Sequence, residues 1–182
     1  MTSRRRIGSS RLREIEQRAA STRREAEDTA AAIYDAPAFF DLVTALGYGL
    51  KIEPNLEHHD GTRLAGWFRP SDLGGTILCE AYDPEFRQRF SAAHEIGHAV
   101  LHEVAHRGGR ACAQSRVDPE SDESGRDHEA EADAFAAAFL MPEDDFRQAV
   151  DTVGYCDGFL AEHFGVSLTA VRRRWGMLSS GH

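Results

Sequence analysis

The chain has 182 residues, 41% of them hydrophobic, which suits one domain with a sizeable core or one domain with a small appendage. Its longest apolar run, residues 134–142, is far shorter than a membrane span, and no apolar stretch follows the N-terminal arginines, so we expect neither a membrane helix nor a secretory signal. Three widely spaced cysteines form neither a disulfide framework nor a metal-binding pair, and the expected compartment is the cytoplasm.

The net charge of −9 is spread unevenly along the chain. Residues 1–25 carry eight arginines against three glutamates, whereas residues 118–145 carry eleven acidic residues and one arginine. The second segment alone exceeds the acidic surplus of the whole chain. Its acidity therefore needs a local explanation.

The first half of the chain predicts two helices followed by a small sheet. Apolar residues recur at helical steps over residues 11–33, which predicts an amphipathic helix, and a short second helix begins after Asp35 and ends near Gly47. The next apolar segments are short and partly alternating, and Asp60-Gly61 and Gly74-Gly75 separate them. They predict a meander of about three strands at residues 50–52, 63–68 and 76–79.

The second half of the chain predicts helices and no further strands. The predicted fold class is therefore α+β, with helices in the majority. Asp83 and Pro84 begin a helix that the apolar stripe extends to about His106. Residues 107–126 are polar and predict a mobile loop. Four more helices are expected, at 125–140, after Pro142, at 158–164 and at 167–178.

The most informative motif is His94-Glu95-Ile96-Gly97-His98. Residues four apart on a helix differ by about 40° in direction, so both imidazoles can reach one metal ion. Glu95 projects beside the open coordination position, where it can take a proton from water. The motif therefore predicts a metal site, and a His-rich solvated helix is the alternative.

A catalytic zinc site needs a third protein ligand, and the helix at 125–140 offers one. We expect Glu129 to be this ligand because it lies on the apolar side of its helix, with Glu131, about 160° away, and His128 as rivals. Asp133 shares a face with Glu129 and can accept the other ring N–H of His94. Zinc is the expected ion, although two histidines and a carboxylate can hold other divalent metals.

The last two helices resemble a helix-turn-helix, with Gly165 at the turn and Ser167 as the N-cap. A DNA-reading unit places basic and polar residues early in its second helix, whereas here the arginines, 172–174, come late. The overall acidity also opposes phosphate binding. We therefore expect these helices to pack on the core rather than bind DNA.

Residues 89–102 and 129–142 together resemble the two signatures of the ImmA/IrrE family of metallopeptidases, and the likeness covers about residues 36–178. It implies a zincin-like core with His94, His98 and Glu129 as zinc ligands and Glu95 as the base. The family usually has asparagine where this chain has Asp133. The likeness also implies an intracellular protease that relieves repression by cleaving a helix-turn-helix repressor, typically of the XRE type.

These observations lead to a division of the chain and to two functional hypotheses. We expect an Arg-rich helix at 1–35, a zinc metallopeptidase core at 36–157 and helix-turn-helix-like helices at 158–182 packed on that core. The first hypothesis is a zinc endopeptidase that acts on a repressor. The alternative is a regulatory protein- or DNA-binding module whose metal site is structural.

Overall fold

A computed structural model describes residues 7–58, 60–71, 74–102, 111–113 and 123–179. Within these residues it contains seven helices and four strands, which confirms the α+β class. The helices are α1 (Ser9–Ala31), α2 (Phe39–Ala45), α3 (Glu85–Leu101), α4 (Glu123–Leu140), α5 (Glu143–Val153), α6 (Asp157–Phe164) and α7 (Leu168–Ser179). The strands are β1 (Gly49–Glu53), β2 (Leu64–Arg69), β3 (Thr76–Glu80) and β4 (Ala111–Ala113).

The three strands predicted before the motif helix are present, but their meander order is wrong. The sheet order is β1-β3-β2-β4, with β1 parallel to β3 and the other pairs antiparallel. Asp60-Gly61 does mark a turn, but the turn closes a local bridge between Glu57 and Arg63 and does not join β1 to β2. The turn is therefore local, and β3 lies between β1 and β2 in the sheet.

Two predictions about the polar segment 107–126 and the helix before it need correction. Strand β4 lies inside the predicted loop and pairs with β2. Helix α3 ends at Leu101, with His102 at its C-cap, rather than near His106. His106, residues 103–110 and residues 114–122 lie outside the described residues.

Helix α3 lies between the sheet and α4. One side of it packs against β2 and β3, and its most extensive contact is with α4. Helix α1 also packs against α4. Gly97 makes the α3–α4 approach possible, because a Cβ there would lie 3.2 Å from the Cα of Ala132 and 3.2 Å from the Cβ of Phe135. Buried residues of α1, α3, α4, α6 and α7 belong to one hydrophobic core, to which all three parts of the predicted division contribute. The boundaries of that division stay a prediction.

The N-terminal helix packs on the body of the protein through a narrow stripe, as its periodicity predicts. Ile15, Ala19 and Ala26 are fully buried on it. Glu16 pairs with the guanidinium of Arg174, which is itself fully buried and donates to the carbonyl oxygen of Met141 at 2.9 Å. Helix α1 is thus tied to α7 as well as to α4.

Two of the three arginines in the helix-turn-helix-like unit form contacts within the protein. Gly165 forms the turn with φ +61°, and Ser167 Oγ accepts the N–H of Ala170 at 3.1 Å. Arg174 is buried, and Arg172 donates to Asp157 at 2.6 Å. These contacts support packing rather than DNA reading. No helix within the described ranges combines the length and apolar character that crossing a bilayer demands.

Glu80 is a buried carboxylate that holds the crossover after β1. Its oxygens accept the backbone N–H groups of Leu56 at 2.7 Å, Tyr82 at 2.9 Å and Asn55 at 3.2 Å. Burial alone would raise the pKa of Glu80, but these three donors outweigh it and hold the pKa below its ordinary value. The carboxylate form is therefore the form that stabilises the fold.

We expect Glu80→Gln to lower the free energy of unfolding at pH 7 by about 1–3 kcal/mol, because an amide NH₂ would face a backbone donor. The wild-type contribution is present above the unfolded pKa and is lost as pH falls through the lower folded pKa. Urea unfolding at pH 7 and at acid pH measures both effects. Glu53→Gln on β1 is the control, because the Glu53 side chain is 45% exposed. Equal stability of the two variants at pH 7 would contradict this role.

Candidate metal centre

Two histidines of α3 and one glutamate of α4 converge on one point. Nε2 of His94 lies 3.0 Å from Nε2 of His98, and each lies 3.2 Å from an oxygen of Glu129. These three residues are the one candidate metal cluster that the described part of the chain contains, with ligand atoms within 4.8 Å of one another. The structure thus brings together the three residues that the sequence predicts as ligands.

The donor set fits a small divalent ion. A tetrahedral zinc ion with ligands about 2.0–2.2 Å away holds those ligand atoms about 3.3–3.5 Å apart, close to the separations of 3.0–3.2 Å here. Both imidazoles are almost fully buried, whereas the Glu129 side chain is 45% exposed. The cluster therefore opens to solvent on the Glu129 side, where a substrate can reach it.

The two rivals of Glu129 point elsewhere. Glu131 turns away and accepts hydrogen bonds from Arg11 at 2.6 Å and 3.0 Å. The ring of His128 stacks on that of His102, with centroids 4.2 Å apart.

Burial alone would raise the pKa of Glu129, but hydrogen bonds with His94 and His98 hold this pKa well below its ordinary value.

Glu95 lies beside the cluster and is fully buried. Its Oε2 accepts the backbone N–H of Phe68 on β2 at 3.0 Å, and its Oε1 has no partner within the described residues. Burial raises the pKa of Glu95 to about 8. One oxygen is thus held by the sheet, and the raised pKa favours a proton on the other.

The approach of β2 to Glu95 depends on Gly66. A Cβ at this position would lie 3.1 Å from Cβ of Ser91 and 3.4 Å from Oε1 of Glu95. A glycine inside a strand is a sequence signal for such an approach. Nothing in the sequence marks the N–H of Phe68, because a backbone donor has no side-chain signature.

Each histidine also has a partner on its other ring nitrogen. Nδ1 of His94 lies 3.2 Å from Oδ1 of Asp133, as the helical spacing predicts. Nδ1 of His98 lies 3.1 Å from Nδ1 of His102, and Nε2 of His102 lies 3.1 Å from Oε2 of Glu131. Burial lowers the pKa of His102 to about 4. Nothing in the sequence marks Arg11 as part of this site, although it lies one turn before Ile15 on the buried stripe of α1.

One comparison with known proteins identifies a family for this chain. The sequence profile of the peptidase M78 family, described as the IrrE N-terminal-like domain, matches residues 48–176, which is more than two thirds of the chain. A search of curated proteins finds no significant relative.

Among solved structures, this chain is similar to a Mycobacterium tuberculosis transcriptional regulator, with a TM-score of 0.55 and 16% identity. The match covers 88% of this chain and 50% of the regulator, so the chain spans about half of that protein's length. At this identity the likeness shows a shared fold alone.

Proposed function

This chain belongs to the peptidase M78 (IrrE N-terminal-like) family, and on that premise we propose that it is a zinc-dependent endopeptidase. The observation that carries the proposal is the convergence of His94, His98 and Glu129 on one point with Glu95 beside it. Two imidazoles and one carboxylate leave a fourth coordination position open, which is the pattern of catalytic rather than structural zinc sites.

In this proposal His94, His98 and Glu129 hold the ion. Zinc, when bound, acts as a Lewis acid that polarises the scissile carbonyl and makes water easier to deprotonate. Glu95 accepts the proton from water through Oε1 and then delivers it to the leaving amine. The N–H of Phe68 holds Oε2 and so leaves Oε1 for the proton.

A helix-turn-helix repressor is the substrate class that we favour. The resemblance to the ImmA/IrrE family supports it, and such a DNA-binding protein carries a basic surface. Glu143, Asp144 and Asp145 are exposed on the first turn of α5 and can attract it. The same three residues also suit the positive end of the helix dipole. This substrate class places the reaction in the cytoplasm.

The test is cleavage of the helix-turn-helix repressor encoded nearest to the gene of this chain. We expect the zinc-loaded protein to cut it at a defined bond, a chelator to stop cleavage and added zinc to restore it. Mass spectrometry of the products reports the bond. A zinc-loaded protein that binds the repressor and leaves it intact would instead favour a regulatory binding module with a structural metal.

A further inference from the structure

A continuous line of polar side chains runs from α1 to the back of His98. The guanidinium of Arg11 donates to both oxygens of Glu131, at 3.0 Å from Nε and 2.6 Å from Nη2. Glu131 Oε2 lies 3.1 Å from Nε2 of His102, and Nδ1 of His102 lies 3.1 Å from Nδ1 of His98. Each of the three steps is within hydrogen-bond distance.

The chemistry of these groups gives every bond in this line one direction. An imidazole that holds a metal through Nε2 carries its proton on Nδ1, so His98 must donate to His102. Nδ1 of His102 is then an acceptor, and its proton is on Nε2, which donates to Glu131. The carboxylate accepts this hydrogen bond together with those of Arg11.

The line is also held in place by packing. The His102 side chain is 4% exposed and the Glu131 side chain 16% exposed, so water competes little for these hydrogen bonds. The ring of His128 lies nearly parallel to that of His102, at an interplanar angle of 28°. The orientation of His102 is therefore fixed from two sides.

We propose that Arg11, Glu131 and His102 are positioning residues that hold His98 in its Nδ1–H tautomer and so make the N-terminal helix part of the metal centre. The inference rests on the proposed function only in that an ion binds at His98. Asp133 is the counterpart behind His94. The glutamate that looked like a rival third ligand thus supports a ligand instead of being one.

The test measures the zinc dissociation constant of the full chain by competition with a fluorescent chelator. Loss of a hydrogen-bond partner behind a metal-binding histidine typically weakens metal affinity by about 10- to 100-fold. We expect a loss of this size for His102→Ala and Glu131→Ala, and a smaller loss for Arg11→Ala. His102→Asn should recover part of the affinity, because its amide oxygen can accept from Nδ1 of His98.

Two further measurements separate positioning from general destabilisation. Thermal unfolding of the metal-free variants reports stability, with Glu27→Ala as the control because it breaks an ion pair with Arg23 on the same helix. Nitrogen NMR of the zinc-loaded protein should show His102 in its Nε2–H tautomer. In Glu131→Ala, His102 should no longer be restricted to that tautomer. Arg11, whose side chain is 34% exposed, can be truncated without leaving a buried cavity.

Unchanged zinc affinity in His102→Ala, Glu131→Ala and Arg11→Ala would overturn the inference, as would His102 protonated on Nδ1 in the zinc-loaded protein. A wild-type chain that binds zinc tightly but cleaves no repressor would overturn the proposed function alone. The graded loss of zinc affinity would still support the positioning role in that case.

Discussion

Glu95→Gln is expected to abolish peptide hydrolysis and leave zinc bound. The amide cannot accept the proton of the attacking water, and general-base catalysis contributes about 10²- to 10⁴-fold to rate. The fold should tolerate the change, because the glutamine oxygen can still accept the N–H of Phe68 and no charge is buried. Cleavage rate and bound zinc, measured on the same preparation, report both halves of the prediction.

Glu85→Gln is the matched control, because Glu85 is an exposed glutamate on the same helix, distant from the cluster by more than two turns. It should cleave at the wild-type rate. If Glu95→Gln cleaved as fast as this control, Glu95 would not be the base. If it lost zinc as well as activity, the carboxylate would serve the metal rather than the reaction.

Glu129→Ala is expected to weaken zinc binding more than any variant of the outer residues. Its carboxylate supplies one of the three ligand atoms, so its loss should exceed the about 10- to 100-fold typical of an outer partner. The metal-free variant should keep its thermal stability, since nearly half of the Glu129 side chain is exposed. Chelator competition measures the affinity.

Glu131→Ala is the matched comparison, two positions along the same helix. We expect the order of zinc affinity to be wild type, then Glu131→Ala, then Glu129→Ala. The reverse order of the two variants would assign the third ligand to Glu131. Unchanged affinity in Glu129→Ala would remove it from the ligand set.

The local parts of this architecture could be predicted from the sequence. Helical periodicity located α1, and residues typical of helix ends located α2 and the C-terminal helices, to within a few residues. The same four-residue period brought His94 to His98 and placed Glu129 and Asp133 on one face of α4. These predictions succeed because they depend on the geometry of a single helix or of two helix faces.

The parts that depend on distant segments could not be predicted. The strand order places β3 between β1 and β2, and β4 pairs with β2 although 41 residues separate the two strands. In the sequence Arg11 is one of many charged residues, and its contact with Glu131 depends on the packing of α1 against α4. In each case the deciding contact joins residues that no periodicity relates.

The buried pair of Arg174 and Glu16 has a consequence for how the chain is made. The two residues are 158 positions apart, so the pair cannot form until residue 174 has been synthesised. Until then α1 lacks one of its anchors on the rest of the protein. If Arg11 supports the metal centre as we propose, this late contact helps to hold α1, and with it Arg11, against α4.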